Sequence, residues 1–131
     1  MKLPAEILRR CGIGIAPRRA TRVMLGGFRS KLERDYRDHL RLLQLGGAVT
    51  AWAYEPETFV CAGGTRYTPD FIVWWANPNR VEVIEVKGHW WAKDRVRMRE
   101  AAPVIGWPLI VVRRVHGQWV YDAPVGEKGN P

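Results

Sequence analysis

Residues 81–87 read Val-Glu-Val-Ile-Glu-Val-Lys, an alternation typical of a β-strand, and they end in an acid and an amine. Because successive side chains of a strand point to opposite faces, Glu85 and Lys87 lie on the same face. Charged side chains are rarely buried unless they are paired or bound to a metal. Taken alone, the pattern is equally typical of an ordinary salt-bridged pair at a strand end.

A second carboxylate stands at the start of the preceding predicted strand. Residues 68–70, Thr-Pro-Asp, open a strand at 71–75, and Asn-Pro-Asn at 77–79 predicts a turn that returns the chain into the next strand. A hairpin of this kind places Asp70 beside Glu85. Since Asp after Pro is also frequent in turns and caps, Asp70 alone would not indicate a site.

Two carboxylates and a lysine form a coherent set for phosphodiester hydrolysis. Asp70 and Glu85 can share a Mg²⁺ ion, with waters and phosphate oxygens completing its octahedron. Such an ion lowers the pKa of a bound water and stabilises charge on the phosphate. Lys87 can orient the attacking water or neutralise the charge that develops on the phosphate. The set therefore predicts a metal-dependent nuclease.

The remaining elements surround these two strands. A helix is predicted from Ser30 to Leu45, because residues 30–33 form a capping-box pattern and two glycines follow the helix. A second helix is predicted at 92–102, ending before Pro103. Further strands are predicted at 48–54, 58–61, 109–115 and 119–121. This order predicts an α/β fold of the mixed α+β kind, with a central mixed β-sheet flanked by helices.

Basic residues are concentrated at the start of the chain. Residues 1–31 contain eight Lys or Arg and one acid, Glu6, whereas the remaining hundred residues are nearly balanced within a total net charge of +8. A basic arm on a nearly neutral body favours nucleic acid as the partner. Binding to a membrane surface would need a helix with a long apolar face, and Gly and Pro interrupt this segment.

The chain shows no sign of a membrane segment or a zinc site. No apolar run reaches the roughly 18 residues that a membrane span requires, and the start lacks the apolar stretch of a signal peptide. The two cysteines, Cys11 and Cys61, fit no zinc pattern and are expected to be reduced thiols. We therefore expect a cytoplasmic protein with a basic N-terminal arm (1–27), a nuclease domain (28–122) and a flexible tail (123–131).

Four segments carry a resemblance to a known family, and they occur in the family's order. They are Gly-Phe-Arg-Ser-Lys-Leu-Glu at 27–33, Tyr-Thr-Pro-Asp-Phe at 67–71, Glu-Val-Lys-Gly-His-Trp at 85–90, and Asp-Arg at 94–95. Pro69-Asp70 with residues 85–87 resembles the PD-(D/E)xK nuclease core, which implies a restriction-endonuclease-like fold. All four together resemble the bacteriophage T7 endonuclease I family of Holliday-junction resolvases, over about residues 28–112.

This resemblance implies roles for individual residues. Asp70 and Glu85 would be metal ligands, Lys87 the catalytic lysine, and Glu33 a third catalytic carboxylate that supports a second metal or its bound water. A capping box explains Glu33 equally simply, since it stands three residues after Ser30. The resemblance also implies cleavage of branched DNA with Mg²⁺, for which Mn²⁺ could substitute. It further implies a homodimer with exchanged (domain-swapped) elements, acting in the host cytoplasm if a phage encodes it.

DNA contacts are predicted at basic residues of the arm and of the second helix. They are Arg18, Arg19, Arg22, Arg29, Lys93, Arg95 and Arg97. A solvated helix face is the alternative for the residues of the second helix. Two other functions remain open from the sequence. One is a nuclease for linear or mismatched DNA within a recombination or packaging machine, and the other is a non-catalytic DNA-binding module on the same scaffold.

Overall fold

The computed structural model of the chain describes residues 27–89 and 91–126. These residues contain the helices α1 (Lys31–Leu45) and α2 (Ala92–Ile105). Their strands are β1 (Val49–Tyr54), β2 (Phe59–Val60), β3 (Arg66–Tyr67), β4 (Phe71–Ala76), β5 (Asn79–Val86), β6 (Leu109–Val115) and β7 (Gln118–Tyr121). A short 3-10 turn spans Ala62–Gly64 between β2 and β3.

Five of these strands form a mixed sheet in the order β1-β4-β5-β6-β7. Strands β5 and β6 run parallel and are connected through α2, whereas the other neighbouring strands are antiparallel. The two short strands β2 and β3 pair in a separate ribbon. The predicted mixed sheet flanked by helices is therefore confirmed.

Helix α1 begins where its capping residues predict. The Ser30 side chain caps the helix, because its Oγ accepts a hydrogen bond of 3.1 Å from the backbone N–H of Glu33. Tyr36 and Leu40, one turn apart, are fully buried against the sheet. The helix ends at Leu45, followed by Gly47 with a φ of +85°, a conformation that favours glycine.

The alternation of β5 separates two cores, one on each face of the sheet. Val83 packs with Met98 of α2 on one face, and Ile84 packs with Tyr36 of α1 on the other. Glu85 shares its parity with Val83, so its side chain projects on the α2 side, just beyond the apolar part of the strand. The predicted division of this strand into two faces is confirmed.

The predicted end of the second helix is wrong. Helix α2 continues through Pro103 to Ile105 and ends at Gly106, which has a φ of +78°. Pro103 removes only one backbone donor in the last turn, while Ala101 and Ile105 are both buried in the core. Burial of Ile105 therefore outweighs the local preference of proline to end the helix.

Several predicted features fall outside the described residues. Arg18, Arg19 and Arg22 of the predicted arm lie there, as do residues 127–131 of the predicted tail. The described part of that tail remains attached to the sheet, because the N–H of Val125 donates to the carbonyl of Leu109 at 2.8 Å. Within residues 27–89 and 91–126, no helix is long and apolar enough to cross a membrane.

The Ile84→Ala variant should lose much of the stability of the domain. Ile84 is fully buried in a central strand, and truncating such a side chain costs about 2–5 kcal/mol of the free energy of unfolding. Leu45→Ala is the matched control, since Leu45 is 86% exposed and its loss should cost less than about 0.5 kcal/mol. Equal denaturation midpoints for the two variants in urea would contradict this core.

Candidate active site

A polar cleft of about 170 Å³ lies where β5 ends and α2 begins. It is lined by Arg29, Tyr67, Thr68, Asp70, Glu85, Lys87, Asp94, Arg97 and Met98. Three of these residues, Asp70, Glu85 and Lys87, belong to the predicted catalytic set, and the fourth predicted member, Glu33, does not line this cleft. The structure therefore brings three of the four predicted catalytic residues together in one cleft.

Asp70 is held against β5 by the geometry of the β4–β5 hairpin. Phe71 begins β4 and pairs with Ile84 across the antiparallel ladder, so Asp70 reaches the end of β5. The Asp70 Oδ2 atom accepts a hydrogen bond of 2.8 Å from the backbone N–H of Val86. This bond fixes the Asp70 carboxyl beside Glu85, as the predicted hairpin requires.

The Glu85 side chain is buried, and groups on both sides hold its two carboxylate oxygens. The Tyr67 hydroxyl, itself buried, donates a short hydrogen bond to Oε1. Oε2 lies 3.8 Å from the Lys87 Nζ atom. The Glu85 carboxylate is therefore fixed in orientation within the cleft.

Burial disfavours ionisation of both carboxyl groups of the cleft, and Glu85 adds to this effect at Asp70. Burial raises the pKa of Asp70, and the adjacent Glu85 and the nearby Glu33 raise this pKa further, against the Val86 N–H. Burial also raises the pKa of Glu85, while its hydrogen bonds to Asp70 and Tyr67 and the nearby Lys87 act in the opposite direction. Ionisation of both carboxyl groups is therefore unfavourable unless a further cation enters the cleft.

Lys87 lies between two carboxylates. Its Nζ atom is 3.8 Å from Glu85 Oε2 and 3.5 Å from Asp94 Oδ2. Asp94 is buried near the start of α2, where its carboxylate also accepts a hydrogen bond from the backbone N–H of Trp91. The ammonium group is therefore held inside the cleft and not extended into solvent.

Glu33 combines the capping position with a place near the carboxyl pair. Its own N–H is capped by Ser30, whose hydroxyl also donates to Glu33 Oε2 at 2.8 Å. The Tyr54 hydroxyl donates to Glu33 Oε1 at 3.0 Å. Because Glu33 of the same chain raises the pKa of both Asp70 and Glu85, its charge acts on the site. The capping of the Glu33 N–H by Ser30 is confirmed, and the catalytic role of Glu33 stays a prediction.

The predicted DNA contacts divide into two groups. Arg29 and Arg97 line the cleft, whereas Lys93 and Arg95 lie on α2 outside its lining. Arg29 also forms an ion pair with Glu55, with Nε 2.8 Å from Oε1, and its side chain is 64% exposed. Among the predicted DNA-contact residues that the structure describes, Arg29 and Arg97 are therefore the two that line the cleft.

Sequence reasoning gave no role to Tyr67 and Asp94. Tyr67 stands on the two-residue strand β3, which is too short to be recognised by alternation. Asp94 occupies the third position of α2, where an acid is expected simply as a helix cap. Only the folded chain shows that Tyr67 reaches Glu85 and that Asp94 reaches Lys87.

The donor set of the cleft fits a hard divalent cation. Mg²⁺ is commonly held by one or two carboxylates, with waters and phosphate oxygens as the other ligands, and Asp70 with Glu85 supplies two carboxylates. Among the residues that the structure describes, no three His, Cys, Asp or Glu side chains are grouped to hold one metal ion. Asp70 and Glu85 alone would leave most of the coordination positions of Mg²⁺ to waters and phosphate oxygens.

A larger hollow of about 690 Å³ lies elsewhere, between α1 and the β6–β7 hairpin. Its wall includes His39 and Trp119, and Asp35 is paired there with Arg114 at 3.2 Å. Burial and the nearby Arg114 lower the pKa of His39. Since the adjacent carboxyl pair and the lysine lie in the smaller cleft, that cleft is the candidate active site.

Comparisons with protein families, with curated proteins and with solved structures find no match for this chain. The assignment of a function therefore depends on the residues of the cleft themselves.

Proposed function

We propose that this protein is a metal-dependent DNA endonuclease whose active site is the cleft containing Asp70, Glu85 and Lys87. The observation that carries this proposal is the contact between two carboxyl groups whose pKa values are both raised, beside a lysine held within the same cleft. Perturbed titratable groups that converge in a cleft are typical of active sites.

Asp70 and Glu85 would hold the metal ion, Mg²⁺ with Mn²⁺ as a substitute. When bound, the ion supplies Lewis acidity, which activates a water and offsets charge on the phosphate. The hydrogen bond from the Tyr67 hydroxyl fixes the orientation of the Glu85 carboxylate, and the bond from the Val86 N–H fixes that of Asp70, so both would be oriented before an ion binds. The carboxylate of Glu33 would support this site from the start of α1.

Lys87 would stabilise the transition state for cleavage. Its ammonium group has three donors and lies next to the carboxyl pair, where the scissile phosphate would also bind. A donor aimed at a position where negative charge develops lowers the barrier without needing to reorganise. Orienting the attacking water is the second task that this position permits.

The wider fold and the cationic rim support the same proposal. An antiparallel β4–β5 hairpin, a parallel β6 reached through α2, and a helix on each face suit a restriction-endonuclease-like core. Arg29 and Arg97 at the cleft would contact the phosphate backbone.

Branched DNA is the substrate we propose, and a homodimer with exchanged elements the active form. Both proposals rest on the resemblance of residues 27–33, 67–71 and 85–90 to junction-resolving enzymes. The test compares single-turnover cleavage of a four-way DNA junction with cleavage of its separate linear arms in Mg²⁺. Selective cutting of the junction is expected. Equal cutting of linear duplex would remove the junction specificity and leave the nuclease proposal in place.

Arg97→Ala should weaken DNA binding by about 3- to 10-fold. It should also reduce the slope of log Kd against log salt concentration by about one unit, the effect of losing one phosphate contact. Arg97 lines the cleft, and a DNA phosphate that binds Arg97 there would release its condensed counterions. Arg99→Ala is the matched control, because Arg99 is exposed on the same helix but does not line the cleft. Equal losses for the two variants in fluorescence anisotropy would place the DNA elsewhere on the surface.

A further inference from the structure

Asp94 is a buried carboxylate that the proposed chemistry does not use. Its residue exposure is 9%, and it lies in the wall of the cleft at the start of α2. An ionised carboxylate in such a place is stable only when other groups compensate its charge. Its polar contacts are Lys87 Nζ at 3.5 Å and the backbone N–H of Trp91 at 3.3 Å.

The helix cap accounts for only one of these contacts. A carboxylate at the third position of a helix accepts a backbone N–H and interacts favourably with the positive end of the helix dipole. Those functions would be fulfilled by an exposed side chain. The same Oδ2 atom also lies 3.5 Å from Lys87 Nζ, a contact that the cap does not need, and this contact links the start of α2 to the end of β5.

Lys87 without Asp94 would have a different position in the cleft. Its other carboxylate neighbour is Glu85, 3.8 Å from Nζ, and Glu85 is itself in contact with Asp70. If residue 94 carried no charge, the Lys87 ammonium group would be attracted mainly toward the Asp70–Glu85 pair. Lys87 would then move onto the place where the pair is expected to receive its cation.

We propose that Asp94 is a positioning residue that holds the Lys87 ammonium group at the edge of the Asp70–Glu85 pair, between Glu85 and Asp94, so that it can contact the substrate phosphate. This inference rests on the proposed nuclease function, because it assigns Asp94 a task in the same reaction. In this proposal Asp94 contacts neither the metal ion nor the phosphate, and it acts through Lys87.

The first test uses Asp94→Asn, which keeps the shape of the side chain and an oxygen that can still cap Trp91. Its single-turnover rate at saturating DNA and Mg²⁺ should fall about 10- to 100-fold, the range typical of groups that orient a catalytic residue. The Kd for DNA and the melting temperature should remain close to those of the wild type. Glu100→Gln, the same charge change at an exposed position of α2, should cleave like the wild type.

Rescue by a conservative variant separates positioning from folding. Asp94→Glu retains the charge that pairs with Lys87, and it should recover part of the rate lost in Asp94→Asn. A rate for Asp94→Asn within threefold of the wild type would overturn the proposal. A loss that Asp94→Glu does not recover, accompanied by a lower melting temperature, would also overturn it, because Asp94 would then be only a structural cap.

A second readout does not depend on cleavage. The chain contains only five lysines, so the ¹⁵Nζ ammonium signals of the full-length protein can be assigned by single Lys→Arg variants. The Lys87 signal should shift in Asp94→Asn and stay in place in Glu100→Gln. An unmoved signal would contradict the ion pair. If the wild type cleaves no DNA but the signal shifts, the nuclease proposal fails while the contact between Asp94 and Lys87 stands.

Discussion

Replacing Lys87 by Met is expected to slow single-turnover cleavage of DNA by about 10²- to 10³-fold, the usual cost of removing one donor that stabilises a transition state. The Met side chain has a similar length but no charge, so the packing around the cleft should be retained. Because Lys87 is half-buried beside the carboxyl pair and would contact only the scissile phosphate, affinity for DNA should change by less than about threefold. Rapid-quench kinetics at saturating protein would measure the rate.

Lys31→Met is the matched control for this prediction. Lys31 is exposed at the start of α1 and does not line the cleft, so its rate of cleavage should equal that of the wild type. Equal rates for Lys87→Met and the wild type would remove Lys87 from the mechanism. A loss of DNA binding that accounts for the whole loss of rate would assign Lys87 to binding instead of catalysis.

Stability without metal should fall as the pH rises, and Asp70→Asn should remove the part of this dependence that Asp70 contributes. Below about pH 4, the carboxyl groups are protonated in both the folded and the unfolded chain. Above that pH the unfolded chain releases protons that Asp70 and Glu85 retain, since burial raises both pKa values in the folded protein. The free energy of unfolding therefore decreases with pH until the pH passes the raised pKa values.

The predicted difference is large enough to measure. In EDTA at pH 8, Asp70→Asn should be more stable than the wild type by about 1–3 kcal/mol, because one pKa unit corresponds to about 1.4 kcal/mol. The difference should shrink toward pH 4. Adding Mg²⁺ at pH 8 should stabilise the wild type more than Asp70→Asn, since the ion binds the folded state. Urea denaturation at several pH values would measure the free energy of unfolding, with Glu100→Gln as the control. Parallel dependence of this free energy on pH in the wild type and in Asp70→Asn would contradict the account.

Most of the framework around the site could be predicted from local patterns. The alternation of residues 81–87 predicted which side chains of β5 share a face. The turn at 77–79 predicted the hairpin that brings Asp70 to Glu85. The Ser30 cap located the start of α1. These features depend on neighbours in sequence, so a single chain is enough to reveal them.

The features that sequence reasoning missed depend on contacts between distant elements. Tyr67 reaches Glu85 from the two-stranded β2–β3 ribbon. Asp94 of α2 reaches Lys87 across the loop that connects β5 to α2. The end of α2 at Ile105 is likewise set by burial against the sheet, against the local effect of Pro103. No periodicity or cap signals such contacts, because they arise only when the elements pack.

The most direct test of the proposed active site is the metal dependence of DNA cleavage by the purified full-length protein. A labelled four-way junction is incubated with the wild type or Asp70→Asn, in Mg²⁺, in Mn²⁺ or in EDTA. The account predicts cleavage by the wild type with either metal and none in EDTA, while Asp70→Asn binds the junction without cutting it. A wild type that binds DNA but leaves it intact with both metals would contradict the account and would indicate a non-catalytic DNA-binding module.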